Sequence, residues 1–258
     1  MIRFLFLLLN VAVVMAMLVF ALFCIPCCAQ DVFTSRGVHR NIPEFILDKN
    51  RFLMSVDSEK DMLDLRQHLR LARAAGHQED VISTLSMLGA LMDREANFFD
   101  GQRYHDEALQ LAIRLFPERS PALATAYHNQ AANRELQKHF DEAVSAYGKA
   151  LGIWQRQEKI DKAKTALEYF GLARCFEAEK LYDAAISGYK KALRDARESD
   201  AVEMKQEILQ ELSSLLSEQG KVEEAADCIK EYNKTEEKLR ESEGDSKRKS
   251  FHDSPGQR

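Results

Sequence analysis

A short motif that recurs between residues 103 and 226 constrains the fold more than any other sequence feature. Each copy has an apolar or aromatic residue, two polar or small residues, an alanine and an apolar residue. The copies are RYHDEAL at 103–109, KHFDEAV at 138–144, KLYDAAI at 180–186 and GKVEEAA at 220–226. With Ala108 as the first, their alanines are 35, 42 and 40 residues apart. This period predicts helical repeats that bury their apolar faces against one another.

The most regular part of this array runs from Ala124 to Leu151 and has the pattern of two amphipathic helices, broken at Lys138-His139. In the second helix, aromatic and small residues from Phe140 to Ala150 recur at the i, i+3, i+7 and i+10 spacing of one helix face. Similar pairs follow, and in the preceding pair the pattern breaks at Asp100-Gly101. We therefore predict an all-α fold of antiparallel helix pairs.

These residues resemble the tetratricopeptide repeat, whose basic unit is a helix–turn–helix of 34 residues. The longer spacing, and the segment PERSPA at 117–122, resemble the extended repeats of kinesin light chains. The resemblance covers about Val81 to Lys238. It implies a right-handed α-solenoid of stacked antiparallel helix pairs with a concave inner face.

The pattern divides the chain into five parts. A capping helix at 58–80 begins at Ser58, which we interpret as its N-cap, and precedes a repeat domain of about four helix pairs at 81–238. The charged, Ser-rich segment 239–258 is predicted to be a disordered tail. Residues 30–57 are predicted to be a connector, and residues 1–29 a signal peptide or membrane anchor.

Two interpretations of the N-terminus remain open. Arg3 is followed by an apolar run at 4–25, and Ala29–Gln30 has the small-then-polar character of a signal cleavage site. The run is longer than the core of a typical cleaved signal and long enough to span a bilayer as an uncleaved anchor. We therefore expect a protein that is exported, to a periplasmic or secreted location, or anchored in a membrane.

The sequence contains no recognisable catalytic or cofactor-binding arrangement. The seven histidines lack metal-ligand spacing, and there is no glycine-rich phosphate loop. Three of the five cysteines lie in the apolar N-terminus, while Cys175 and Cys228 are expected to be small buried residues. The net charge of −5 does not favour binding to nucleic acids. We predict no enzyme activity, no metal, no cofactor and no nucleic-acid partner.

The resemblance implies where a partner binds. In this family, extended peptides usually lie in the concave groove, against the first helix of each pair. The residues that the resemblance places on this face are Thr125, His128, Asn129, Ala132, Leu136, Leu167, Phe170, Gly171, Arg174, Gln210, Glu211 and Ser214.

Two of these residues have side chains suited to holding a peptide. The Asn129 amide can bond both the N–H and the C=O of a peptide, and Arg174 can contact an anion. The alternatives are a local or inter-repeat hydrogen bond for Asn129 and an intramolecular ion pair for Arg174. Leu167 and Gly171 stand where chaperone-binding members carry cations, so the resemblance does not favour binding of a chaperone tail.

The sequence leaves two kinds of function open. One is a protein-binding scaffold that takes a peptide or a helix of a partner in its groove. The other is a structural or assembly subunit that self-associates or packs into a membrane complex without a groove ligand.

Overall fold

The computed structural model describes residues 58–199 and 201–252, with side chains described for 60–199 and 201–237. The signal or anchor predicted for 1–29 and the connector predicted for 30–57 lie outside the described residues, as do residues 253–258 of the predicted tail. None of the helices in the described range is both long enough and apolar enough to cross a membrane.

The described residues form nine α-helices. Their bounds are α1 Ser58–Ala75, α2 Gln78–Arg94, α3 Phe98–Leu115, α4 Pro121–Leu136, α5 Phe140–Trp154, α6 Lys162–Ala178, α7 Tyr182–Glu198, α8 Val202–Glu218 and α9 Val222–His252. Consecutive helices pack on each other and form an all-α solenoid: α1 precedes four pairs, α2–α3, α4–α5, α6–α7 and α8–α9. The capping role of α1, the predicted domain bounds and the right-handed sense of the solenoid stay predictions.

Side chains that accept backbone hydrogen bonds begin several of these helices. Asn97 accepts from the N–H of Asp100 at the start of α3, and Ser120 accepts from Ala122 at the start of α4. Asp161 accepts from two N–H groups in the first turn of α6. These oxygens satisfy donors that have no partner inside a helix, and they fix where each helix begins.

The turn inside each pair contains one residue with left-handed backbone geometry. These residues are Ala96, Lys138, Lys180 and Gly220, with φ values of 57°, 63°, 63° and 72°. They are 42, 42 and 40 residues apart, which is the true period of the array. The period matches the extended repeat that the sequence resembles, and the turn gives each helix pair a common register.

This register corrects the sequence interpretation of the first repeat. Gly101 lies five residues after Ala96, where Ala143 follows Lys138, so Gly101 rather than Ala108 is the equivalent residue. A Cβ atom at Gly101 would overlap the carboxylate of Asp93, so an alanine there would force that carboxylate to move. The break predicted at Asp100-Gly101 is therefore wrong, since both residues lie in the first turns of α3.

Small residues allow the two helices of each pair to approach closely. Ala143 and Ala185 are fully buried and Ala225 is 2% exposed. Leucines fill the space between neighbouring pairs, as at Leu209 and Leu212 of α8, which are buried against α7. The capping helix α1 buries Leu69 and Ala72 against the first pair and so covers its apolar side.

The C-terminal end differs from the sequence prediction. Helix α9 continues to His252, through most of the segment for which composition predicts a disordered tail. Charged residues such as Lys, Arg and Glu have good helix propensity, and the first proline of this segment is Pro255. Composition therefore does not by itself mark the end of this helix.

Candidate functional site

In each of three repeats, a carboxylate forms a hydrogen bond with a histidine or tyrosine side chain. Each carboxylate lies three residues before the left-handed turn residue, and each ring lies nine residues after it. The pairs, with their donor–acceptor distances, are Asp93–His105 at 3.0 Å, Glu135–Tyr147 at 2.7 Å and Glu177–Tyr189 at 2.5 Å. The fourth repeat has Ser217 and Ile229 at these positions, so the series ends there. We call the three pairs the carboxylate–ring ladder.

Burial and the neighbouring carboxylates both act on the ladder tyrosines. Burial raises the pKa of Tyr147 well above its ordinary value, and Glu135 raises it further. Burial is also the largest cause of the raised pKa of Tyr189, followed by its hydrogen bond to Glu177. Both phenols therefore stay protonated and donate to their carboxylates at neutral pH.

His128, a predicted groove residue, is used inside the fold. Its Nδ1 atom lies 3.0 Å from the Glu168 carboxylate, and Trp154 donates to the other oxygen of that carboxylate from 3.3 Å. The His128 ring also packs on Tyr147, with 5.5 Å between ring centroids. His128 is 8% exposed and Glu168 only 1%. This network joins α4 to α6 across the boundary between two repeats.

Asn129 is the predicted peptide-binding amide, and the described residues do not supply the internal hydrogen bond of the alternative interpretation. The residue is 5% exposed, and its amide has no hydrogen bond to any residue that the structure describes. It is not among the buried groups whose polar atoms are wholly shut off from solvent. A narrow opening therefore reaches this amide, so a ligand at the opening can form hydrogen bonds with it.

The other predicted groove residues of α4 differ in their exposure and in their contacts. Ala132 lies one turn further along α4 and is 9% exposed. Thr125 donates its hydroxyl to the Pro121 carbonyl within its own helix, at 3.1 Å. Leu136 is 42% exposed and is an apolar contact available at the end of α4.

On α6, the predicted residues Phe170 and Arg174 contact each other. Phe170 is 4% exposed and packs in the core against Tyr189. The Arg174 guanidinium lies 5.5 Å from the centroid of the Phe170 ring and forms an ion pair with Glu135 of α4. The intramolecular ion pair expected as the alternative for Arg174 is therefore present. Its side chain is still 40% exposed, so it remains within reach of a partner.

The same surface is rich in carboxylates at α8. Gln210 and Ser214 are exposed, and Glu211 is half-buried between them. Burial is the largest cause of the raised pKa of Glu211, followed by repulsion from Glu177, while Arg174 acts in the opposite direction. Arg174 therefore interacts with several carboxylates on this surface, among them Glu135 and Glu211.

The sequence analysis does not identify the carboxylates of the ladder or the carboxylate bound to His128. These residues are Asp93, Glu135, Glu177 and Glu168. Each ladder carboxylate precedes its ring by 12 residues, and the first three repeats preserve that spacing. A comparison of the repeats at a period of 42 would have found the series. When Ala108 is aligned with Ala143, Asp93 is not superimposed on Glu135, so this alignment does not reveal the series.

The described residues lack a metal-binding cluster and include the buried thiol of Cys175. They contain no group of three His, Cys, Asp or Glu side chains arranged to hold a metal ion. Cys175 is buried, as the sequence predicts, and burial raises the pKa of its thiol to about 12. A thiol that is protonated at neutral pH is a poor nucleophile.

Known proteins share both the sequence pattern and the fold. The family model described as Tetratricopeptide repeat matches residues 80–156 and, in an overlapping match, 123–198. Residues 80–198 are tetratricopeptide repeats. A search of the curated proteins found no match to this sequence.

Several solved structures are similar in fold to this tetratricopeptide repeat domain. BtubC from P. vanneervenii is 20% identical with a TM-score of 0.60, over 69% of this chain and 75% of that one. A putative kinesin light chain from Podosopora anserina, with nearly identical TPR-like repeats, is 11% identical with a TM-score of 0.61, over 78% and 99%. A Rap protein complexed with Competence and Sporulation Factor is 15% identical with a TM-score of 0.54, over 79% and 67%. At these identities the likeness concerns the fold, and it agrees with the extended repeats that the sequence resembles.

Proposed function

We propose that this chain is a non-catalytic scaffold that binds a peptide or helical segment of a partner protein. The segment lies on the face formed by α4, α6 and α8, against the first helices of three repeats. Asn129 bonds the backbone of the segment, Arg174 contacts it beside Glu135, and Leu136 and Gln210 line its path. We call this surface the first-helix face.

The observation that carries the proposal is the amide of Asn129, which is 5% exposed and makes no hydrogen bond to the described residues. Solvent reaches this amide through the opening, and a ligand backbone that replaces the solvent can bond to both the amide N–H and the amide C=O. The fold supports the proposal because tetratricopeptide repeats are generally binding rather than catalytic modules. The structural likeness to a Rap protein solved with a bound factor is consistent with it.

The test is capture of partners by crosslinking and pull-down from the native compartment. We expect Asn129→Ala to lose the partners that the wild-type chain captures, because its amide supports no other described residue. A second variant, Asn129→Ala with Arg174→Ala, removes both proposed contacts.

The matched control is Asn233→Ala with Arg156→Ala, which removes the same side-chain types from exposed positions outside this face. It should retain all partners, and circular dichroism should show helical content unchanged in every variant. If folded Asn129→Ala captures the same partners as wild type, the proposed site is wrong.

A second function, structural assembly without a groove ligand, is favoured by the burial of His128 and Phe170. Both are predicted groove residues, yet His128 bonds to Glu168 of the next repeat and Phe170 packs against Tyr189 of its own helix pair. This function predicts that the purified chain self-associates. Light scattering after size exclusion distinguishes the two, since a monomer at all concentrations excludes self-assembly.

We also propose that the protein acts outside the cytosol, either released or anchored by its N-terminus. This rests on the basic start, the apolar run at 4–25 and the Ala29–Gln30 junction. Determination of the mature N-terminus tests it. A chain that starts at Gln30 has been released, an intact Met1 in a membrane fraction indicates an anchor, and an intact Met1 in the cytosol contradicts the proposal.

A further inference from the structure

Cations are concentrated around an open cavity beside α7, away from the first-helix face. The cavity has a volume of about 330 Å³ and lies between the exposed side of α7 and the start of α9. Four of its lining residues are the cations Lys190, Lys191, Arg194 and Lys221, against the single carboxylate of Asp183. In a chain with a net charge of −5, this is a local reversal of charge. We call it the α7–α9 cavity.

Two of these cations are available to bind an anion. Arg194 contacts Asp195 only through Nε, at 3.4 Å, which leaves its two terminal nitrogens for a ligand. Lys191 makes no ion pair with the residues that the structure describes, and its Nζ lies 5.6 Å from the centroid of the Tyr169 ring. Both side chains are in exposed positions. Neither is needed to hold α7 against α9.

The other two cations are held only by exposed ion pairs. Lys190 pairs with Glu224 at 2.5 Å, and Lys221 with Asp183 at 3.6 Å, where the Asp183 side chain is fully exposed. Such pairs in water are weak and exchange partners readily. An incoming carboxylate can therefore share these lysines without breaking a buried contact.

The spacing of two cations in the cavity fits an extended chain. Its floor includes Ile186, which is 5% exposed, and Ser187 adds a hydroxyl at its edge. Lys190 and Arg194 are one helical turn apart, which spans about 6 Å along the axis. In an extended peptide, side chains two residues apart point the same way and are separated by about 6.6 Å. Carboxylates at alternate positions of an extended segment therefore match these two cations.

We infer that the α7–α9 cavity docks an extended acidic segment of a partner protein. Alternate carboxylates contact Lys190 and Arg194, Lys191 and Lys221 flank them, and the intervening side chain rests on Ile186. This surface is independent of the first-helix face. With both surfaces occupied, one chain would hold two partner segments at once.

The test measures binding of a fluorescein-labelled peptide of alternating glutamate and alanine to the full chain by fluorescence anisotropy. We expect saturable binding that Lys191→Gln with Arg194→Gln weakens by about tenfold or more. A peptide of alternating lysine and alanine should not bind. Thermal melting of the variant should match wild type, because both side chains are exposed.

The array supplies a matched control. Lys149 lies 5.2 Å from the centroid of the Tyr127 ring, one repeat before the equivalent Lys191 and Tyr169. Lys149→Gln with Arg156→Gln removes the same charge outside the cavity and should change affinity by less than about twofold. Equal loss in both double variants would overturn the inference, as would the absence of saturable binding. Complete competition by inorganic phosphate at low concentration would also overturn it, since the site would then be a general anion site.

Discussion

Tyr147 shows how single residues join repeats in this array. Its hydroxyl donates to Glu135 in the preceding helix, and its ring fills the space left by Gly171 of the next repeat. A Cβ atom at Gly171 would lie 2.5 Å from that ring, so a larger residue there forces the tyrosine to move. One side chain therefore couples the packing of two helix pairs.

The hydroxyl of Tyr147 can be tested by itself. We expect Tyr147→Phe to lower the free energy of unfolding by about 1 kcal/mol, because one hydrogen bond to a charged acceptor is lost while the ring remains. Tyr182→Phe is the control, since Tyr182 is half-buried and its hydroxyl has no hydrogen bond to the described residues. Urea denaturation at neutral pH measures both, and equal effects of the two variants would contradict this role for Tyr147.

Glu211 leads to a prediction about pH. Its pKa is raised in the folded chain, first by burial and then by Glu177, so folding disfavours its charged form. This group therefore favours the folded state when protonated, and that contribution is lost as pH rises through the raised pKa. We expect Glu211→Gln to raise the melting temperature at pH 7 and to have little effect near pH 3.

The exposed Glu203 of the same helix is the control for Glu211. Glu203→Gln should leave the melting temperature nearly unchanged at both values of pH, because that carboxylate is in water. Scanning calorimetry at pH 3 and pH 7 makes the comparison. A stabilisation by Glu211→Gln that is equally large at pH 3 would contradict the electrostatic cause.

Helix α7 has a small, fully buried residue, Ala185, where it crosses α6. Ala185 is fully buried, whereas its neighbour Ala184 is exposed on the same helix. We expect Ala185→Trp to cost roughly 1–3 kcal/mol of unfolding free energy by overpacking the crossing with α6, and Ala184→Trp to cost much less. Thermal melting of both variants tests this. An unchanged melting temperature for Ala185→Trp would mean that α6 and α7 do not pack as described.

Helix pairing was predictable from sequence because apolar spacing reports directly on which face is buried. The pair Ala124–Leu151 was found in this way, and Lys138 lies at its turn as predicted. The first pair was misread because Gly101 and His105 replace the alanine and tyrosine that mark later repeats. Both residues contact Asp93. A Cβ atom at Gly101 would overlap its carboxylate, and the His105 ring forms a hydrogen bond with it.

The candidate site was less predictable than the fold. Family resemblance indicates which residues share a face, but it does not show which of them neighbouring repeats already use. His128 bonds to Glu168, which is 40 residues further along the chain, and no local pattern reveals that contact. Asn129 is the reverse case, because only the folded structure shows that its amide makes no hydrogen bond to the described residues.

For the whole solenoid, stability depends on how the first pair is covered. Helix α1 buries Leu69 and Ala72, and without it Val81 and Ile82 of α2 would lose part of their cover. We expect deletion of residues 58–76 from the otherwise complete chain to cost about 2 kcal/mol or more, which corresponds to roughly 5 °C in melting temperature.

The control for this deletion is removal of residues 239–258 at the other end. These residues follow the last buried position of the described side chains, Thr235, so their removal should change the melting temperature by less than about 2 °C. Calorimetry of the two truncated chains compares them. Equal losses would show that α1 is not a special cap.

The left-handed turn residues have a consequence for how such a chain changes over time. Because Lys138 and Lys180 hold the same register 42 residues apart, the segment between them is a complete module. A second in-frame copy of that module would present the same faces to its neighbours as the first. Gene duplication could therefore lengthen the array by whole modules while leaving both of its ends untouched.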